Sequence, residues 1–250
     1  MVDIPGSTWG RGGRSALIDK LHLVDPRTLV GRLITQNERI WQAYVGHEFV
    51  RRLAAGTLPE ECFRRYLVQD YLFLVHFSRA WALAAFKADK IDEIRACAAV
   101  LDGLANQEMR LHVDYCAKFG LDESTLERTA EASATMAYTR YVLERGLAGD
   151  LLDLLVALAP CVVGYGEIGA QVAADPATRI DDNPYRLWIE TYAGDDYVQV
   201  VRTALAQIER VAMARLGDEP WTTPRWTSLS AIFEAAARLE IDFWQMGLDG

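Results

Sequence analysis

No run of basic residues interleaved with aromatic ones occurs in the sequence, and the balance of charge is acidic. The 26 Lys and Arg side chains are outnumbered by 35 Asp and Glu, which leaves a formal net charge of −9 at pH 7. A surface that follows nucleic-acid phosphates needs the opposite sign. We therefore expect no nucleic-acid partner.

Cysteine is scarce, and long uncharged apolar runs are missing. No Cys-x-x-Cys pair occurs, which argues against a structural zinc site and is typical of a reducing compartment. The four cysteines are Cys62, Cys97, Cys116 and Cys161. Charged residues interrupt the apolar stretches well before about 18 residues, and the N-terminus has no signal-like apolar segment. We predict a cytoplasmic protein without a membrane partner.

The chain does have enough apolar sequence for one large core. Its 250 residues are 51% apolar, which is within the size range that one hydrophobic core serves. Glycines and a proline near the N-terminus indicate a flexible extension over residues 1–25. A single domain over residues 26–250 is expected to follow it.

Strand signals are absent and helical signals are frequent. No segment alternates with period two, whereas apolar residues recur at steps of three and four between capping signals such as Asp25-Pro26 and Thr57-Leu58-Pro59-Glu60. The sequence therefore predicts an all-α bundle. Its predicted helices span residues 26–46, 59–88, 91–119, 123–128, 135–147, 151–174, 184–192, 195–216 and 228–246.

Two carboxylates occupy positions where these helices require apolar side chains. Asp70 falls on the aromatic stripe of the second predicted helix, and Glu240 falls on the corresponding stripe of the last one. Burying a carboxylate costs several kcal/mol unless a partner or ligand compensates it. A structural hydrogen-bond acceptor is the ordinary explanation for one such residue, and a ligand site is the alternative.

A thiol and a phenol lie one turn apart in the most apolar helix, directly after a proline. Cys161 and Tyr165 follow Pro160, which frees a backbone carbonyl and bends a helix axis. A buried cysteine usually behaves as a small hydrophobe. Together with Asp70 and Glu240, however, these side chains and two further tyrosines, Tyr138 and Tyr192, favour a closed aromatic pocket for a flat, hydrogen-bonding ligand.

At these residues the sequence resembles the TenA family, also called thiaminase II, which has a haem-oxygenase-like all-α fold. The stretch from Gly46 contains H-x-F-V, G-T-L-P and Y-x-x-Q-D signatures in the family's order, and "LLVALAPCVVGYGEIG" matches its most diagnostic motif. "NQEMRLHVDYCAKFG", "ATMAYTRYVLERG", "NPYRLWIETYAGDDY" and "EIDFWQM" complete the set. The resemblance covers residues 29–246 and implies a single-domain helical bundle.

The resemblance implies a role for each of seven residues. Cys161 would be the nucleophile, Glu240 the acid and base at a pyrimidine ring nitrogen, and Asp70 the partner of the exocyclic amine. Tyr138 would lie beside the thiol, while Tyr165 and Tyr192 would line the pocket and hydrogen-bond to Glu240 or the substrate. The seventh residue, Phe73, stands where the family often has tyrosine, so one hydroxyl contact is expected to be missing there.

The activity implied is hydrolysis of an aminopyrimidine related to thiamin, with release of ammonia or cleavage of thiamin at its methylene bridge. Neither a cofactor nor a metal ion is implied, and the expected assembly is a homotetramer. Hydrogen bonds from Tyr138 and Tyr165 to the Cys161 sulfur would favour its thiolate, whereas apolar burial would favour the thiol. The sequence leaves the sign of that pKa shift open.

Two other classes of function are considered. Glu108 and His112 have the i, i+4 spacing of metal ligands, which would fit a metal-dependent oxidase of the same fold. The structural alternative is that Glu108 forms a hydrogen bond with the imidazole or with a helix end. A haem site using His22 or His47 has weaker support. A non-catalytic, pyrimidine-binding regulatory protein would have the same pocket.

Overall fold

The protein is described from a computed structural model, which defines residues 23–249. Within that part of the chain there are twelve α-helices and no β-strand, so the all-α prediction is confirmed. The helices are α1 (Leu29–Gln36), α2 (Glu38–Val45), α3 (Glu48–Ala54), α4 (Glu60–Lys87), α5 (Ile91–Gly103), α6 (Met109–Lys118), α7 (Glu123–Arg128), α8 (Ser133–Ala148), α9 (Leu151–Ala174), α10 (Arg186–Ala193), α11 (Asp195–Leu216) and α12 (Arg225–Asp249).

The N-terminal helix differs from its prediction. The residue that caps α1 is Thr28, whose hydroxyl accepts a hydrogen bond from the Gly31 amide, and not Asp25. The helix then stops at Asn37, and α2 begins as a separate helix. The Asn37 side chain donates to the Leu33 carbonyl, and this local hydrogen bond competes with continuation of the helix. Most of the predicted N-terminal extension, including His22, lies outside the described residues.

The centre of the bundle is α9, which is apolar on nearly every side. Its N-terminus has a capping box in which the Asp150 side chain accepts from the Asp153 amide at 3.1 Å and Asp153 accepts from the Asp150 amide at 2.9 Å. This helix is long and apolar enough to cross a membrane, but 89% of its most apolar 18-residue window is buried by α8, α10, α11 and α12. It is therefore the core helix of the bundle.

A π-helical turn interrupts what the sequence predicts as one helix over residues 91–119. The turn spans Leu104–Glu108 and joins α5 to α6 without a loop. Such a turn inserts one residue into the helical ladder and rotates the side chains that follow, and it is frequent at functional sites. Its last residue is Glu108, which places this carboxylate on the same face as His112.

Candidate active site

Packing brings the two carboxylates and the thiol that the sequence predicts for the site into one region. Asp70 is on α4, Cys161 on α9 and Glu240 on α12, and these helices contact one another directly. The negative charges of Glu240 and Asp70 both raise the pKa of Cys161. The three side chains thus form a single electrostatically coupled cluster inside the bundle.

One carboxylate oxygen of Asp70 accepts a hydrogen bond from the protein, and the other does not. Only 6% of the residue is exposed, and its Oδ2 accepts a hydrogen bond from the Tyr66 hydroxyl at 3.4 Å. That hydroxyl in turn accepts from Trp188 Nε1 at 3.1 Å. Burial raises the pKa of Asp70, while His112 and Tyr66 oppose the shift. No donor within residues 23–249 reaches Oδ1, so this oxygen is the acceptor that a ligand amine can use.

His112 lies beside Asp70, and no hydrogen bond joins it to Glu108 in the described part of the chain. Its Nε2 lies 2.9 Å from the Leu67 carbonyl, which can only accept, so Nε2 carries a proton. Its Nδ1 lies 3.6 Å from Asp70 Oδ2, and His112 lowers the pKa of Asp70. The structural alternative for Glu108, a hydrogen bond to this imidazole or to a helix end, is not present among the described residues.

Glu240 is the most deeply buried of the acidic groups in the cluster. It is 2% exposed, and its Oε1 accepts a hydrogen bond from the Tyr138 hydroxyl at 2.9 Å. The Tyr44 hydroxyl, which donates to the Pro160 carbonyl oxygen at 3.3 Å, lies near the carboxylate and also lowers its pKa. Burial and the charge of Asp70 outweigh both tyrosines and raise the pKa of Glu240 to about 8. Glu240 therefore carries a proton at neutral pH and can act as an acid.

The position of Tyr44 depends on a glycine in α9. The Tyr44 hydroxyl lies 3.3 Å from the Pro160 carbonyl oxygen, beside Glu240. A Cβ atom on Gly164 would lie 2.2 Å from Tyr44 Cε1 and 2.6 Å from its hydroxyl oxygen. Only a residue without a side chain allows this approach, so the glycine in "CVVGYGEIG" fixes the hydrogen-bonded environment of Glu240.

Gly164→Ala is expected to destabilise the protein, because the added methyl group must displace the Tyr44 ring. Overpacking of this kind typically costs about 1–3 kcal/mol, measurable as a lower free energy of unfolding in a denaturant titration. The matched control is Gly103→Ala at the end of α5, where an added Cβ has nothing within 4 Å. There the change should stabilise the helix by about 0.5–1 kcal/mol. Equal effects at both positions would contradict the packing argument.

Cys161 differs from the other three cysteines in its access to the surface. It is partly exposed, whereas Cys62, Cys97 and Cys116 are buried. Burial, followed by the charges of Glu240, Asp70 and Glu108, raises the pKa of the Cys161 thiol well above its usual value. The direction of the Cys161 pKa shift, which the sequence leaves open, is therefore upward, and the free protein contains a thiol rather than a thiolate.

One tyrosine differs from its expected hydrogen bond, and the predicted contacts of Tyr165 and Tyr192 with a substrate stay predictions. The Tyr138 hydroxyl donates to Glu240 and not to the Cys161 sulfur. Asp70 and Tyr66 affect the pKa of both Tyr165 and Tyr192, and the charge of Glu240 also raises the pKa of Tyr165. Tyr165 therefore lies near both carboxylates.

Aromatic rings enclose this polar cluster. Tyr165 lies 4.9 Å from Tyr192 and 5.3 Å from Trp244 between ring centroids, and Trp188 lies 4.6 Å from Tyr192. The approach of α10 to α9 depends on Gly169, where a Cβ would lie 2.3 Å from the Tyr192 carbonyl group. These rings exclude water, which strengthens the interactions of the carboxylates.

Phe73 contributes an aromatic ring without a hydroxyl to the side of the site where Tyr138 and Phe243 lie. Its centroid is 5.0 Å from that of Tyr138 and 5.8 Å from that of Phe243. The residue is 5% exposed. All seven predicted site residues therefore lie in or around one enclosure.

Sequence reasoning missed three members of the site. They are Tyr44, Tyr66 and Trp188, each of which places a polar atom near another group of the site. The i, i+4 spacing of Tyr66 and Asp70 was a usable signal for the first contact. Nothing in the sequence pattern marks the other two, because the direction of a phenol or indole polar atom depends on tertiary packing.

The arrangement does not provide a metal centre in the described part of the chain. No group of three or more His, Cys, Asp or Glu side chains within residues 23–249 could hold a metal ion. Glu108 and His112 are on one helix face, but His112 is engaged by the Leu67 carbonyl and Asp70. His47 has a structural contact as well, since its Nδ1 accepts a hydrogen bond from the Phe49 amide as the cap of α3.

The fold and site define an all-α protein in which aromatic rings surround a thiol and two buried carboxylates. A family model described as the TENA/THI-4/PQQC family matches residues 34–250. The chain belongs to this family, as its sequence motifs predict. The N-terminal residues before position 34 lie outside the match.

Individual relatives extend this assignment. The chain is 40% identical over 221 residues to an uncharacterized protein from Haemophilus influenzae, covering 88% of this chain and 99% of that one. It is 32% identical over 215 residues to an aminopyrimidine aminohydrolase from Halalkalibacterium halodurans, covering 86% and 92%. A crystal structure of a TenA family transcription regulator from Silicibacter sp. TM1040 matches with a TM-score of 0.85, 45% identity and coverage of 89% and 97%.

The predicted fold type is also confirmed. A domain of unknown function with a haem-oxygenase-like fold, from Shewanella denitrificans, matches with a TM-score of 0.67 and coverage of 89% of this chain and 91% of that one. Its sequence identity is 15%, so this likeness concerns the fold alone.

Proposed function

We propose that the protein is a thiamin-salvage hydrolase that acts on aminopyrimidines and replaces an amino group by hydroxyl. The single observation that carries the proposal is the pairing of a protonated Glu240, whose pKa is about 8, with Asp70 in one enclosure that also contains the Cys161 thiol. A relative named aminopyrimidine aminohydrolase supports this class of reaction.

The two carboxylates have different tasks in this proposal. An aminopyrimidine ring is a poor electrophile until a ring nitrogen is protonated, and Glu240 carries the proton at neutral pH. Asp70 offers its open Oδ1 to the exocyclic amine and orients the ring. The rings of Phe73, Tyr165 and Tyr192 stack around the heterocycle and exclude water.

The nucleophilic step needs a proton acceptor, because Cys161 is a thiol in the free protein. Glu240 becomes a carboxylate when it has protonated the ring nitrogen, and it then accepts the thiol proton while Sγ bonds to a ring carbon. The aminomethyl group of the substrate is an ammonium at neutral pH, so its carbon–nitrogen bond breaks and the electron pair of that bond departs with neutral ammonia. Water supplies the hydroxyl that replaces it, the Sγ–carbon bond breaks, and the thiol regains a proton.

The decisive test is ammonia release from a panel of aminopyrimidines, compared with thiazole release from thiamin. We expect catalytic ammonia release from an aminomethyl-pyrimidine with formation of the hydroxymethyl product. Thiamin cleavage without ammonia release would place the activity in the thiaminase class instead. If the folded protein released neither ammonia nor thiazole, the proposal would be refuted.

Asp70→Asn is expected to weaken substrate binding as well as rate. The amide can present a donor to the substrate amine where the carboxylate presents only acceptors, and it removes the negative charge that lies 3.6 Å from His112 Nδ1. We expect at least a tenfold higher KM, the scale of one lost charged hydrogen bond of about 1.5–3 kcal/mol. A KM equal to that of the parent would leave Asp70 with a structural role.

A non-catalytic regulator is the second candidate, because a structurally similar protein is named a transcription regulator. A regulator that senses pyrimidines would bind the aminomethyl-pyrimidine without consuming it. Equilibrium binding and ammonia release measured on one preparation therefore discriminate the two functions. The homotetramer and the cytoplasmic location stay predictions from the sequence.

A further inference from the structure

Gln69, the neighbour of Asp70 on α4, is a buried polar side chain that takes no part in the mechanism above. Only 5% of the residue is exposed. Its Nε2 donates to the Ala130 carbonyl at 3.1 Å. Its Oε1 accepts from the Ala132 amide at 2.8 Å and from the Thr135 hydroxyl at 2.7 Å. All three hydrogen bonds end on the connector between α7 and α8 or on the first turn of α8.

Two of these hydrogen bonds replace a local cap at the start of α8. The cap residue is Ala132, which has no polar side chain. In a capping box, the third helical residue reaches back to the amide of the cap residue. Thr135 is that third residue, and Gln69 Oε1 stands between the two, because it accepts from the hydroxyl of one and the amide of the other. The start of α8 is therefore fixed by a side chain of α4.

The first turn of α8 leads directly to Tyr138. This residue follows Thr135 by three positions, which places the two side chains on one face of the helix. The Tyr138 hydroxyl donates to Glu240 Oε1 at 2.9 Å. Thr135 and Tyr138 are 0% and 1% exposed, and a close-packed interior transmits a displacement to its neighbours. A shift of the first turn relative to α4 therefore moves the phenol relative to the Glu240 carboxylate.

We propose that Gln69 is a positioning residue, which holds the start of α8 against α4 so that Tyr138 meets Glu240. This inference rests on the proposed function, because it assigns a residue that prepares the acid of that reaction. Within residues 23–249, the hydrogen bonds of the Gln69 side chain all end on residues 130–135. Gln69 therefore acts on the reaction through Thr135 and Tyr138, and it is not itself a catalytic residue.

The Tyr138 hydrogen bond is one of several influences on the Glu240 proton. It lowers the pKa of Glu240, as Tyr44 does, whereas burial and the charge of Asp70 raise that pKa. Loss of the Tyr138 hydrogen bond would therefore raise the Glu240 pKa further and make the group a weaker acid. The titratable groups that interact with Glu240 come from five helices and are Tyr44, Asp70, Tyr138, Cys161, Tyr165 and Tyr197.

The test follows the Glu240 proton in Gln69→Met, which keeps the length of the side chain and removes its donor and acceptor. The carboxyl carbon of Glu240 is titrated by NMR in protein labelled at glutamate, and its signal is assigned by its absence from Glu240→Gln. We expect the Glu240 pKa to rise by about one unit or more, the scale of one hydrogen bond to a charged group.

Turnover gives a second measurement of the same link. With an aminomethyl-pyrimidine as substrate, the alkaline fall of kcat/KM in Gln69→Met should move upward in pH by the same amount as the NMR titration, because kcat/KM reports the free enzyme. We expect kcat to fall about tenfold, the scale of one displaced hydrogen bond. KM should stay within about twofold, since Asp70 keeps its place on α4.

Two further variants separate this link from a general loss of stability. Thr135→Val removes only the hydroxyl that donates to Gln69, so it should shift the Glu240 titration in the same direction and add little to the shift in Gln69→Met. The matched control is Gln207→Met. Gln207 is a glutamine of α11 with 2% exposure, and its side chain donates to Cys97 Sγ at 3.2 Å. This change should leave the Glu240 titration where it is in the parent.

The opposite result is equally clear. An unchanged Glu240 titration in Gln69→Met, with a lower free energy of unfolding, would show that Gln69 only stabilises the fold and would overturn the proposal. Should Gln69→Met not fold, Thr135→Val alone decides by the same criterion. The NMR titration needs no turnover. Absence of ammonia release by the parent would therefore refute the proposed function, while the titration still decides whether Gln69 sets the contact between Tyr138 and Glu240.

Discussion

Cys161→Ser is expected to lower turnover at least about a hundredfold while the substrate still binds, which is the scale of a covalent step that loses its nucleophile. Serine keeps the size of the side chain in α9, so the fold should be unaffected. A hydroxyl is a far weaker nucleophile than sulfur and is harder to deprotonate beside the charges of Glu240 and Asp70. Single-turnover ammonia release and equilibrium binding on one preparation measure the two parts of this prediction.

The other cysteines provide the matched controls. Cys62, Cys97 and Cys116 are buried, and burial raises the pKa of Cys116 to about 12, so a serine at any of these positions should leave turnover close to that of the parent. An alkylating agent should inactivate the protein through Cys161, faster at higher pH because the thiol pKa is raised. Bound aminopyrimidine should protect it. Inactivation through one of the buried cysteines alone would place the nucleophile elsewhere.

The parts of the fold that the sequence predicts well are those fixed by local signals. Thr57-Leu58-Pro59-Glu60 precedes α4, and Asp150 caps α9, because turns and caps depend on a few neighbouring residues. The π-helical turn at Leu104–Glu108 could not be predicted, since one inserted residue hardly changes the apolar period over 91–119. The short helix α3 was missed because seven residues carry too little periodicity.

The site follows the same division between local and tertiary information. Asp70 and Glu240 could be predicted because a carboxylate on an apolar stripe is visible in the sequence. Their protonation states could not, since they depend on burial and on partners from other helices, such as Tyr44 for Glu240 and Trp188, through Tyr66, for Asp70. The direction of the Cys161 pKa shift could not be predicted for the same reason.

Glu240→Gln is expected to abolish most turnover without loss of the fold, because the amide keeps the shape of the carboxylic acid but cannot transfer a proton. A loss of about a hundredfold or more is expected, at the lower end of general acid–base contributions. In the parent, kcat/KM should fall as pH rises through about 8, where Glu240 loses its proton. The Glu240→Gln variant should not show this fall of kcat/KM with rising pH. Asp242→Asn, an exposed change on the same helix, should retain the parent profile.

Stability gives an independent measurement of the same proton. The pKa of Glu240 is about 8 in the folded protein and near its ordinary value of 4.5 when unfolded, so between these pH values the folded state binds more protons. Stability contributed by this group is therefore fully present below pH 4.5 and is lost as pH rises toward about 8. Glu240→Gln removes the titrating group, so its free energy of unfolding should decline less than that of the parent across this window. Denaturant titrations at several pH values measure the difference. Parallel curves for the two proteins would mean that Glu240 is ionised in the folded state and cannot supply the proton that the reaction requires.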